Sequence, residues 1–585
     1  MNRGSDDRES TGCTRRGFLA GGFAAGAVVA AGTGGFYFGY KTAMGKPVRV
    51  GVIGTGDEGN VLLGAMNPKF LEVCAIADAR PYSVYRAFHG EIGVPSRPGL
   101  LSVYGWKSES EARKHVKVYS RYEELLENAE KDSLDGVVIA LPLFLHAPVA
   151  IAAMRRGLHV LTEKLMGHSV HECKEMARTA ATAGVLLATG HQRHYNILYA
   201  QAAEKIRRGQ LGDLHYIRAQ WHRSNLPGKD SWQQPLPPGI TDDEKTNKLA
   251  KDLKKAQEEL KTARGPAIEK AQKQVRQLQA QIADKLLHIR DREVVKPLRG
   301  TAAGEIAEQL VSMTDSAGRT PAEAYGYLHR QIPSGGGKVY DRPAIEELIR
   351  WRLWDRTAAG LMAELGSHQL DASSIFIAAA HEGKKQHPLT VAAAANRPVF
   401  PLDRDCEDHV FCILEFPAPG YDKKDPNKEC KKIGVMYSSI NGNGYGGYGE
   451  IVYGTKGTLI LEREQVLQEP SSGAEIKVST GGAAGPTLNT QASGPAPKLV
   501  AANAGEVSRG YAEELEHWAW CISNPAPENR PRCHPEVALG DAVIALVTNK
   551  AAREGRRIEF NEEWFKIDSN ETPEGVAPDV SRYTA

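Results

Sequence analysis

Short apolar runs alternate with longer amphipathic stretches through the first third of the chain. The apolar runs have the length and composition of buried strands, and the stretches between them have helical periodicity. The predicted strands are Val48–Ile53, Leu71–Ala77, Leu134–Leu141, Leu158–Thr162 and Val185–Thr189. This alternation predicts an α/β fold with a doubly wound parallel sheet and helices on both faces.

The first predicted strand runs directly into a glycine-rich turn, Gly54-Thr55-Gly56-Asp57-Glu58-Gly59. The first glycine permits a tight turn, the second lets a diphosphate approach the backbone, and the third lets the following helix pack closely on the strand. Asp78 ends the second strand, about 20 positions further on, where a carboxylate can hold an adenosine ribose. The pattern predicts a Rossmann dinucleotide site; a buried strand–turn–helix without a ligand is the alternative.

Asp78 also bears on the choice of dinucleotide. A carboxylate at this position repels a 2′-phosphate, which favours NAD. Arg80 follows two residues later and would accept that phosphate, so NADP stays open.

Four predicted strands are each followed directly by a charged residue, a proline or a glycine. These residues are Asp78, Pro142, Lys164 and Gly190. Because the carboxyl ends of parallel strands meet at one edge of the sheet, we expect these residues around one crevice.

A different pattern begins near Thr390, where short apolar runs are separated by turns rich in glycine and proline. The runs include Val410–Phe416, Lys432–Ser439, Gly449–Tyr453 and Gly457–Leu461. They predict an open, mostly antiparallel sheet. Helical patterns at 511–523 and 535–554 complete an α+β second domain.

Between these two regions lies a highly charged segment with coiled-coil-like spacing. Apolar positions recur on one face of 242–264 and on one face of 267–292, and Gly265-Pro266 separates them. This spacing predicts an antiparallel helical hairpin at about 242–292. A solvated arm is the simplest interpretation, and a lid or an oligomer contact is the alternative.

The amino terminus carries Arg15-Arg16 before an uncharged, glycine- and alanine-rich stretch, Gly17–Tyr40. Paired arginines before a mildly apolar run are typical of a twin-arginine (Tat) export signal. We therefore expect the Tat machinery to export the protein to the periplasm. A short uncleaved membrane anchor is the alternative.

Composition excludes some classes of function. Lys plus Arg number 73 and Asp plus Glu 71, so the net charge of +2 gives no support for a nucleic-acid partner. The eight cysteines form no C-x-x-C pair, so neither a metal site nor a disulfide framework is predicted.

The ordered motifs resemble those of the Gfo/Idh/MocA family of nicotinamide-dependent oxidoreductases. The matching pieces are the Gly54–Gly59 turn, Ala140-Leu141-Pro142 with His146, the segment Gly157–Lys164, Gly190-His-Gln-Arg-His-Tyr195, and Gly366-Ser-His368-Gln-Leu-Asp371. Leu165 stands where the family has the proline of Glu-Lys-Pro. The resemblance covers roughly 47–225 and 340–560.

The resemblance implies a domain layout. A Rossmann domain over 46–190 would follow a signal or anchor at 1–45. A domain for substrate binding and oligomerisation over 191–567 would carry an insertion at 225–340 and precede a tail at 568–585. The family pattern also places His146, Glu163 and Gln192 beside the cofactor, and a dimer or tetramer is expected.

Hydride transfer from a hydroxyl needs a group that takes the hydroxyl proton, and Lys164 is the first candidate. Desolvation and the positive nicotinamide ring would both lower its pKa from about 10.4. His368 is the second candidate, as general base or proton relay. Glu364, four residues earlier, takes the place of the family's aspartate and would orient His368 from the same helix face.

Five further residues are candidates for substrate contact. Arginine and aromatic side chains suit polyols and sugar acids through forked hydrogen bonds and stacking. The candidates are Arg193, His194, Tyr195, Trp221 and Arg352.

Three functions follow. The first is an exported NAD(P)-dependent oxidoreductase of a sugar, polyol or sugar derivative, with a tightly bound cofactor recycled in place by a second substrate. The second is an NAD-dependent glycoside hydrolase or lyase that works by transient C3 oxidation and elimination. The third is a carbohydrate-binding or scaffold protein without turnover.

Overall fold

A computed structural model describes residues 38–40, 45–226, 248–286, 292–313, 318–333, 337, 339–400, 404–462, 465–470 and 509–575. The predicted twin-arginine motif lies outside these ranges, as does the tail beyond residue 575. Within the described part of the chain, no helix has the length and hydropathy needed to cross a bilayer.

The first sheet has six parallel strands in the order β3-β2-β1-β4-β5-β6. The strands are β1 Val48–Ile53, β2 Leu71–Ala77, β3 Lys117–Tyr119, β4 Gly136–Ile139, β5 His159–Glu163 and β6 Leu187–Gly190. The surrounding helices are Asp57–Ala65, Pro81–His89, Leu100–Tyr104, Glu109–Ala112, Tyr122–Glu127, His146–Met154 and Val170–Ala183. The prediction of a doubly wound parallel sheet is confirmed.

The inner strands of this sheet are covered on both faces, which explains their continuous apolar sequence. All four residues of β4 are buried, and so are all but one residue of β1 and of β2. The edge strand β3 is short and partly exposed, and its sequence gave no strand signal.

The second sheet has eight strands in the order β15-β14-β13-β7-β12-β11-β10-β16. They are β7 Leu214–Trp221, β10 Thr390–Asn396, β11 His409–Pro417, β12 Lys432–Ile440, β13 Tyr448–Gly454, β14 Gly457–Glu462, β15 Gln465–Pro470 and β16 Ile558–Glu559. The pairs are antiparallel except β7 with β12, which run parallel. The predicted, mostly antiparallel sheet is therefore confirmed, and alternate residues of β12 face the core.

Helices join the two sheets. They are Ile197–Arg207, Ala344–Ile349, Asp355–Ala358, a π-helical turn at Met362–Gly366 that continues into Ser367–Ala380, Tyr511–Ser523 and Pro535–Glu554. One hydrophobic core runs from the first sheet through Ser367–Ala380 and Pro535–Glu554 to the second sheet.

The charged insertion forms a helical hairpin, Lys248–Thr262 and Pro266–Lys285, with the break at Gly265. Short helices follow at Arg292–Val295, Ala302–Ser312 and Pro321–Ala324, and then a two-stranded ribbon, β8 Arg330–Pro333 with β9 Val339–Arg342. The second hairpin helix packs on helix Pro81–His89 of the first sheet through a small buried cluster that includes Tyr82, Tyr85 and Ala280. The insertion is therefore attached to the Rossmann domain along this helix.

Candidate active site

A cavity of about 870 Å³ lies at the carboxyl ends of the parallel strands. One wall comes from the turns after β1, β2, β4 and β5. The other comes from the end of β7, the π-helical turn, the residues after the hairpin, and Tyr511. Ligands bind at this edge of doubly wound sheets.

The glycine turn after β1 has the conformation that its sequence predicts. Gly54 has a φ of +87°, and a Cβ there would lie 2.4 Å from the carbonyl oxygen of Ala140. A Cβ at Gly59 would lie 2.1 Å from the Gly54 oxygen, so helix Asp57–Ala65 packs closely on the turn. A Cβ at Gly56 would meet nothing within 4 Å, and no side chain caps this helix. The amino end of the helix therefore offers backbone amides to an anion.

Two other residues of the turn, Thr55 and Asp57, bind side chains of the protein. Thr55 is fully buried and does not line the cavity; its amide donates to Asp78 Oδ2 at 2.7 Å. Asp57 lines the cavity but pairs with Arg86 at 2.6 Å and Arg97 at 3.7 Å. Burial alone would raise the pKa of Asp57, but Arg86, Arg352 and Arg97 together lower it to about 2.

Asp78 lies at the end of β2 and lines the cavity, as predicted from its position. Its second oxygen accepts the amide of Arg80 at 2.8 Å. The Arg80 guanidinium instead reaches Asp284 of the hairpin, with Nη2 2.7 Å from Asp284 Oδ2. Arg80 is thus held by a carboxylate from the insertion.

Lys164 and Glu163 end β5 and both line the cavity. Lys164 Nζ donates to the carbonyl oxygen of Glu364 at 2.5 Å, and its amide donates to Glu163 Oε2 at 3.0 Å. Burial lowers the pKa of Lys164, while Glu163 and Glu364 oppose that change. Burial and the nearby Glu58 raise the pKa of Glu163 to about 8.

His368 lies at the start of helix Ser367–Ala380 and lines the same cavity as Lys164. Its ring centroid is 5.4 Å from that of Trp221, which also lines the cavity. Burial, together with the charges of Lys164 and Arg193, lowers the pKa of His368 well below its usual value. The imidazole is therefore neutral at ordinary pH.

Glu364 lines the cavity, but it does not orient His368 as predicted. Its Oε1 lies 3.3 Å from Arg223 Nη1 and 3.3 Å from Arg352 Nε, and no hydrogen bond to the His368 ring is found among the described residues. The π-helical turn Met362–Gly366 widens the helix between the two residues, so the expected i, i+4 alignment is not formed.

Pro142, His146 and Gln192 line the cavity as well. The ring nitrogens of His146 lie 2.8 Å from the Leu165 oxygen and 2.9 Å from the Leu141 oxygen, so this buried ring ties the β4 and β5 turns together. Gln192 donates to the Tyr511 hydroxyl at 3.2 Å. Within the described structure, Gln192 Oε1 and Glu163 Oε1 are buried without a hydrogen-bond partner, as expected of groups that face a bound molecule.

Arg193, His194 and Tyr195 do not line the cavity, although they were predicted to contact substrate. Arg193 Nη1 donates to the His368 carbonyl oxygen at 2.6 Å and to Glu450 at 3.1 Å. The other two side chains bind partners inside the protein: His194 pairs with Asp371 at 2.8 Å, and the Tyr195 hydroxyl bonds His517 at 2.8 Å. Arg193 therefore holds the backbone of His368 through this hydrogen bond.

Trp221 and Arg352 line the cavity as predicted, and the sequence missed several of their neighbours. Arg223, Trp351, Arg509 and Tyr511 contribute to the wall, as do Tyr325 and Tyr327. Their segments carry no motif; only the position of Arg223, two residues after the end of β7, offered a signal.

A second group of polar side chains is buried outside the cavity. Ligand atoms of His191, Cys533 and Asp541 lie within 4.8 Å of one another, although the cysteine spacing predicted no such grouping. Lys385 Nζ is 2.5 Å from Asp541, so an ammonium ion already balances this carboxylate.

The glycine cradle and Asp78 together fit a dinucleotide, and they define residues 48–191 as a nucleotide-binding Rossmann domain. This segment matches the GFO_IDH_MocA family model, described as "Oxidoreductase family, NAD-binding Rossmann fold". The matched residues 48–191 contain the glycine turn and Asp78 and make up about a quarter of the chain.

Curated relatives share this part of the chain. A "Glycosyl hydrolase family 109 protein" of Stenotrophomonas maltophilia is 30% identical over 184 residues, which is 30% of this chain and 36% of the relative. The "Rhizopine catabolism protein MocA" of Rhizobium meliloti is 27% identical over 175 residues, 30% of this chain and 47% of the relative. The chain thus spans less than half the length of either relative.

Among solved structures, an aldose-aldose oxidoreductase from Caulobacter crescentus, complexed with glycerol, aligns with 88% of this chain and 100% of its own. The TM-score is 0.46 at 16% identity.

Proposed function

We propose that this protein is an NAD-dependent oxidoreductase that acts on a CH–OH group of a sugar, polyol or sugar derivative. One observation carries the proposal: Lys164 and His368, which are 204 positions apart in the sequence, line the same cavity as Gly56 and Asp78. Two groups able to handle a proton therefore lie in one cavity with the nucleotide cradle.

The residues present fit NAD, which when bound supplies the hydride acceptor. The amides at Gly56 would hold its diphosphate, and Asp78 would accept hydrogen bonds from the adenosine ribose. Asp284 holds the Arg80 guanidinium, which favours NAD over NADP.

Lys164 would take the proton of the substrate hydroxyl. Its bond to the Glu364 carbonyl fixes the amine, and burial favours the neutral form that can accept a proton. His368, kept neutral, would pass the proton onward or bind a neighbouring hydroxyl. Trp221 would stack against an apolar face of the sugar ring.

The cellular setting is part of the proposal. Arg15-Arg16 supports Tat export to the periplasm, with or without an uncleaved anchor, and a free pool of nicotinamide cofactor is not expected there. The cofactor would then travel with the folded protein and be recycled by a second substrate. Roughly nanomolar affinity, about 12 kcal/mol, would retain it. The substrate domain, carrying the insertion, would also form the homo-oligomer.

The test is to denature natively purified protein and identify any released dinucleotide by mass. We expect stoichiometric NAD, and a rise in absorbance at 340 nm when sugars or polyols are added to the native protein. Protein that carries no dinucleotide and binds none when NAD is supplied would overturn the proposal.

The alternative is an NAD-dependent glycoside hydrolase or lyase that works through transient oxidation at C3. One observation favours this alternative: the relative from Stenotrophomonas maltophilia that shares this segment is named a glycosyl hydrolase family 109 protein. Cleavage of aryl glycosides without net NADH formation, dependent on bound NAD, would favour this alternative. Net NADH formation from a free sugar would favour the dehydrogenase.

A further inference from the structure

Part of the charged insertion lies at the carboxyl edge of the first sheet, where it contributes to the wall of the main cavity. Five of its residues line that cavity: Met313, Arg319, Ala324, Tyr325 and Tyr327. They follow the helical hairpin in the chain, and their segments carry no sequence motif. The cavity that contains the glycine turn and Asp78 is therefore built in part by a segment outside the two large sheets.

Two polar contacts attach the insertion to this edge of the sheet. Asp284 binds the Arg80 guanidinium, three residues after β2, with an Nη2–Oδ2 distance of 2.7 Å. The Tyr325 hydroxyl donates to the carbonyl oxygen of Ser120, directly after β3, at 3.1 Å. Both Arg80 and Ser120 line the cavity, so these contacts lie beside the space in which a ligand would bind.

An aromatic contact makes a third attachment. The Tyr327 ring lies edge-on to the ring of Phe144, in the turn after β4, with the centroids 5.6 Å apart and the planes at 77°. Edge-to-face pairs of this kind add to the free energy gained by burial. Both rings are buried in the hydrophobic core of the first sheet. The insertion thus contacts the segments that follow β2, β3 and β4.

The Tyr327 side chain is buried and lines the cavity, yet its hydroxyl has no hydrogen-bond partner among the residues that the structure describes. Asp78 and Arg80 both act on this hydroxyl electrostatically, so it lies near the end of β2. Burial raises its pKa, and the hydroxyl therefore stays protonated near neutral pH. A phenol in this state can both donate and accept a hydrogen bond, so it is available to a bound molecule.

The adenosine half of NAD presents groups that match these side chains. Its ribose carries two neighbouring hydroxyls, and its adenine has a flat aromatic face. The proposed function assigns the ribose to Asp78, whose ionised carboxylate can only accept hydrogen bonds. A phenol beside that carboxylate can bond the second hydroxyl of the ribose, and tyrosine rings stack well on a base.

We propose that Tyr327 binds the adenosine ribose next to Asp78, and that the insertion closes this end of the NAD site across β2, β3 and β4. The proposal rests on the proposed function and assigns the retention of the cofactor to the insertion. Bound NAD then leaves only when the insertion separates from the edge of the sheet, which makes its dissociation slow.

The first experiment measures the binding of NAD and of ADP by calorimetry, on protein stripped of its cofactor. ADP carries the adenosine and the diphosphate but not the nicotinamide half. The variants are Tyr327→Phe, which removes only the hydroxyl, and Tyr327→Ala, which removes the ring as well. Leu328→Ala, which changes an exposed neighbour on the insertion, is the matched control.

We expect Tyr327→Phe to weaken binding about threefold or more and Tyr327→Ala about tenfold or more, with equal factors for NAD and ADP. The control should change neither ligand. A loss for NAD that ADP does not share would place Tyr327 away from the adenosine and overturn the proposal. A loss confined to Tyr327→Ala would show that the ring only fills the core, and it would overturn the ribose contact, because Tyr327→Phe keeps the packing on Phe144.

The second experiment measures how fast labelled NAD leaves the protein when unlabelled NAD is added in excess. Tyr325→Phe removes the hydrogen bond to Ser120, and Tyr445→Phe, at a tyrosine that is 83% exposed, is the control. We expect release about three- to tenfold faster from Tyr325→Phe and an unchanged rate from the control. Release from Tyr325→Phe at the wild-type rate would overturn closure by the insertion.

These results separate the proposal from the proposed function. Wild-type protein that binds neither NAD nor ADP would overturn the proposed function itself. Tight binding of both ligands by the wild type and, undiminished, by the two Tyr327 variants would keep the NAD site and overturn the role of the insertion.

Discussion

Glu163 and Lys164 are adjacent in the sequence, and burial favours the neutral form of both side chains. The carboxyl has its pKa raised to about 8, and the amine has its pKa lowered. Pairs of titratable groups moved toward neutrality in a cleft are typical of sites that transfer protons. The pair therefore defines the part of the cavity where the chemistry is expected.

Replacing Lys164 by methionine should abolish proton transfer while preserving the volume of the side chain. We expect kcat to fall about 10²- to 10⁴-fold, the usual contribution of a general base, with little change in NAD affinity. Steady-state kinetics and NAD titration measure the two effects. Lys164→Arg is the informative companion, because it keeps a positive charge but cannot act as a base near neutral pH; full activity of this variant would contradict the assignment.

The pH dependence of kcat follows from the lowered pKa of Lys164. The neutral amine is the active form, so kcat should rise with pH through the lowered pKa of Lys164, below the 10.4 or so of a free lysine. A pH–rate profile of the wild-type protein measures it. A rate that falls as pH rises through the neutral range would contradict this assignment.

At the scale of elements, Asp284 of the helical hairpin contacts Arg80, which lines the cavity. Asp284 is almost fully buried and binds the guanidinium of Arg80, two positions after Asp78. A carboxylate there occupies the one arginine that the sequence suggested as a partner for a 2′-phosphate.

Asp284→Asn should therefore raise the affinity for NADP, by about three- to tenfold, since a neutral amide holds a guanidinium less strongly than a carboxylate does. Dissociation constants for NAD and NADP, measured on protein stripped of its cofactor, test this. Glu269→Gln, exposed on the same helix, is the control and should leave both constants unchanged. Adding Arg80→Ala to the Asp284→Asn variant should remove the gain; a gain that persists would mean that Arg80 is not the phosphate partner.

At the scale of the molecule, the last helices bind the first sheet to the second. Trp518, on helix Tyr511–Ser523, is fully buried in the core of the first sheet, close to Gly136 of β4. Helix Pro535–Glu554 packs against β6, β10 and helix Val170–Ala183. The C-terminal part of the chain therefore completes the Rossmann domain, although the sequence places it in the other domain.

Trp518→Ala should destabilise the protein by about 3–5 kcal/mol, the usual cost of emptying a buried aromatic site. Trp520→Ala, two residues away and only half-buried, should cost less than half as much. Urea unfolding, followed by circular dichroism and by release of bound NAD, measures both variants. If the Trp518→Ala variant released its NAD at the same urea concentration as the wild-type protein, the helix would not be part of the Rossmann domain.

Much of the first domain could be predicted because its signals are local. A parallel strand covered on both faces is a continuous apolar run, and a glycine with a positive φ, such as Gly54, is required by the turn itself. Position at a strand end then sufficed to bring Asp78, Lys164 and Pro142 to one cavity. The edge strand β3 was missed because it is short and partly exposed, so its sequence carries no such pattern.

The orientation of side chains was decided by packing between distant segments. Arg193, His194 and Tyr195 follow β6 as the motif predicts, yet their partners are Glu450, Asp371 and His517, and these turn all three away from the cavity. Glu364 illustrates the same effect, because a π-helical turn directs it to Arg223 and Arg352 rather than to His368.

By itself, the sequence determined the parallel sheet, the nucleotide turn and the class of the second sheet, since periodicity and backbone conformation act over a few residues. Only the tertiary structure placed β7 at the centre of the second sheet, paired with β12 more than 200 positions later, and Arg80 against the hairpin. Such pairings depend on which surfaces meet when the chain is compact, and the local pattern of the sequence does not encode them.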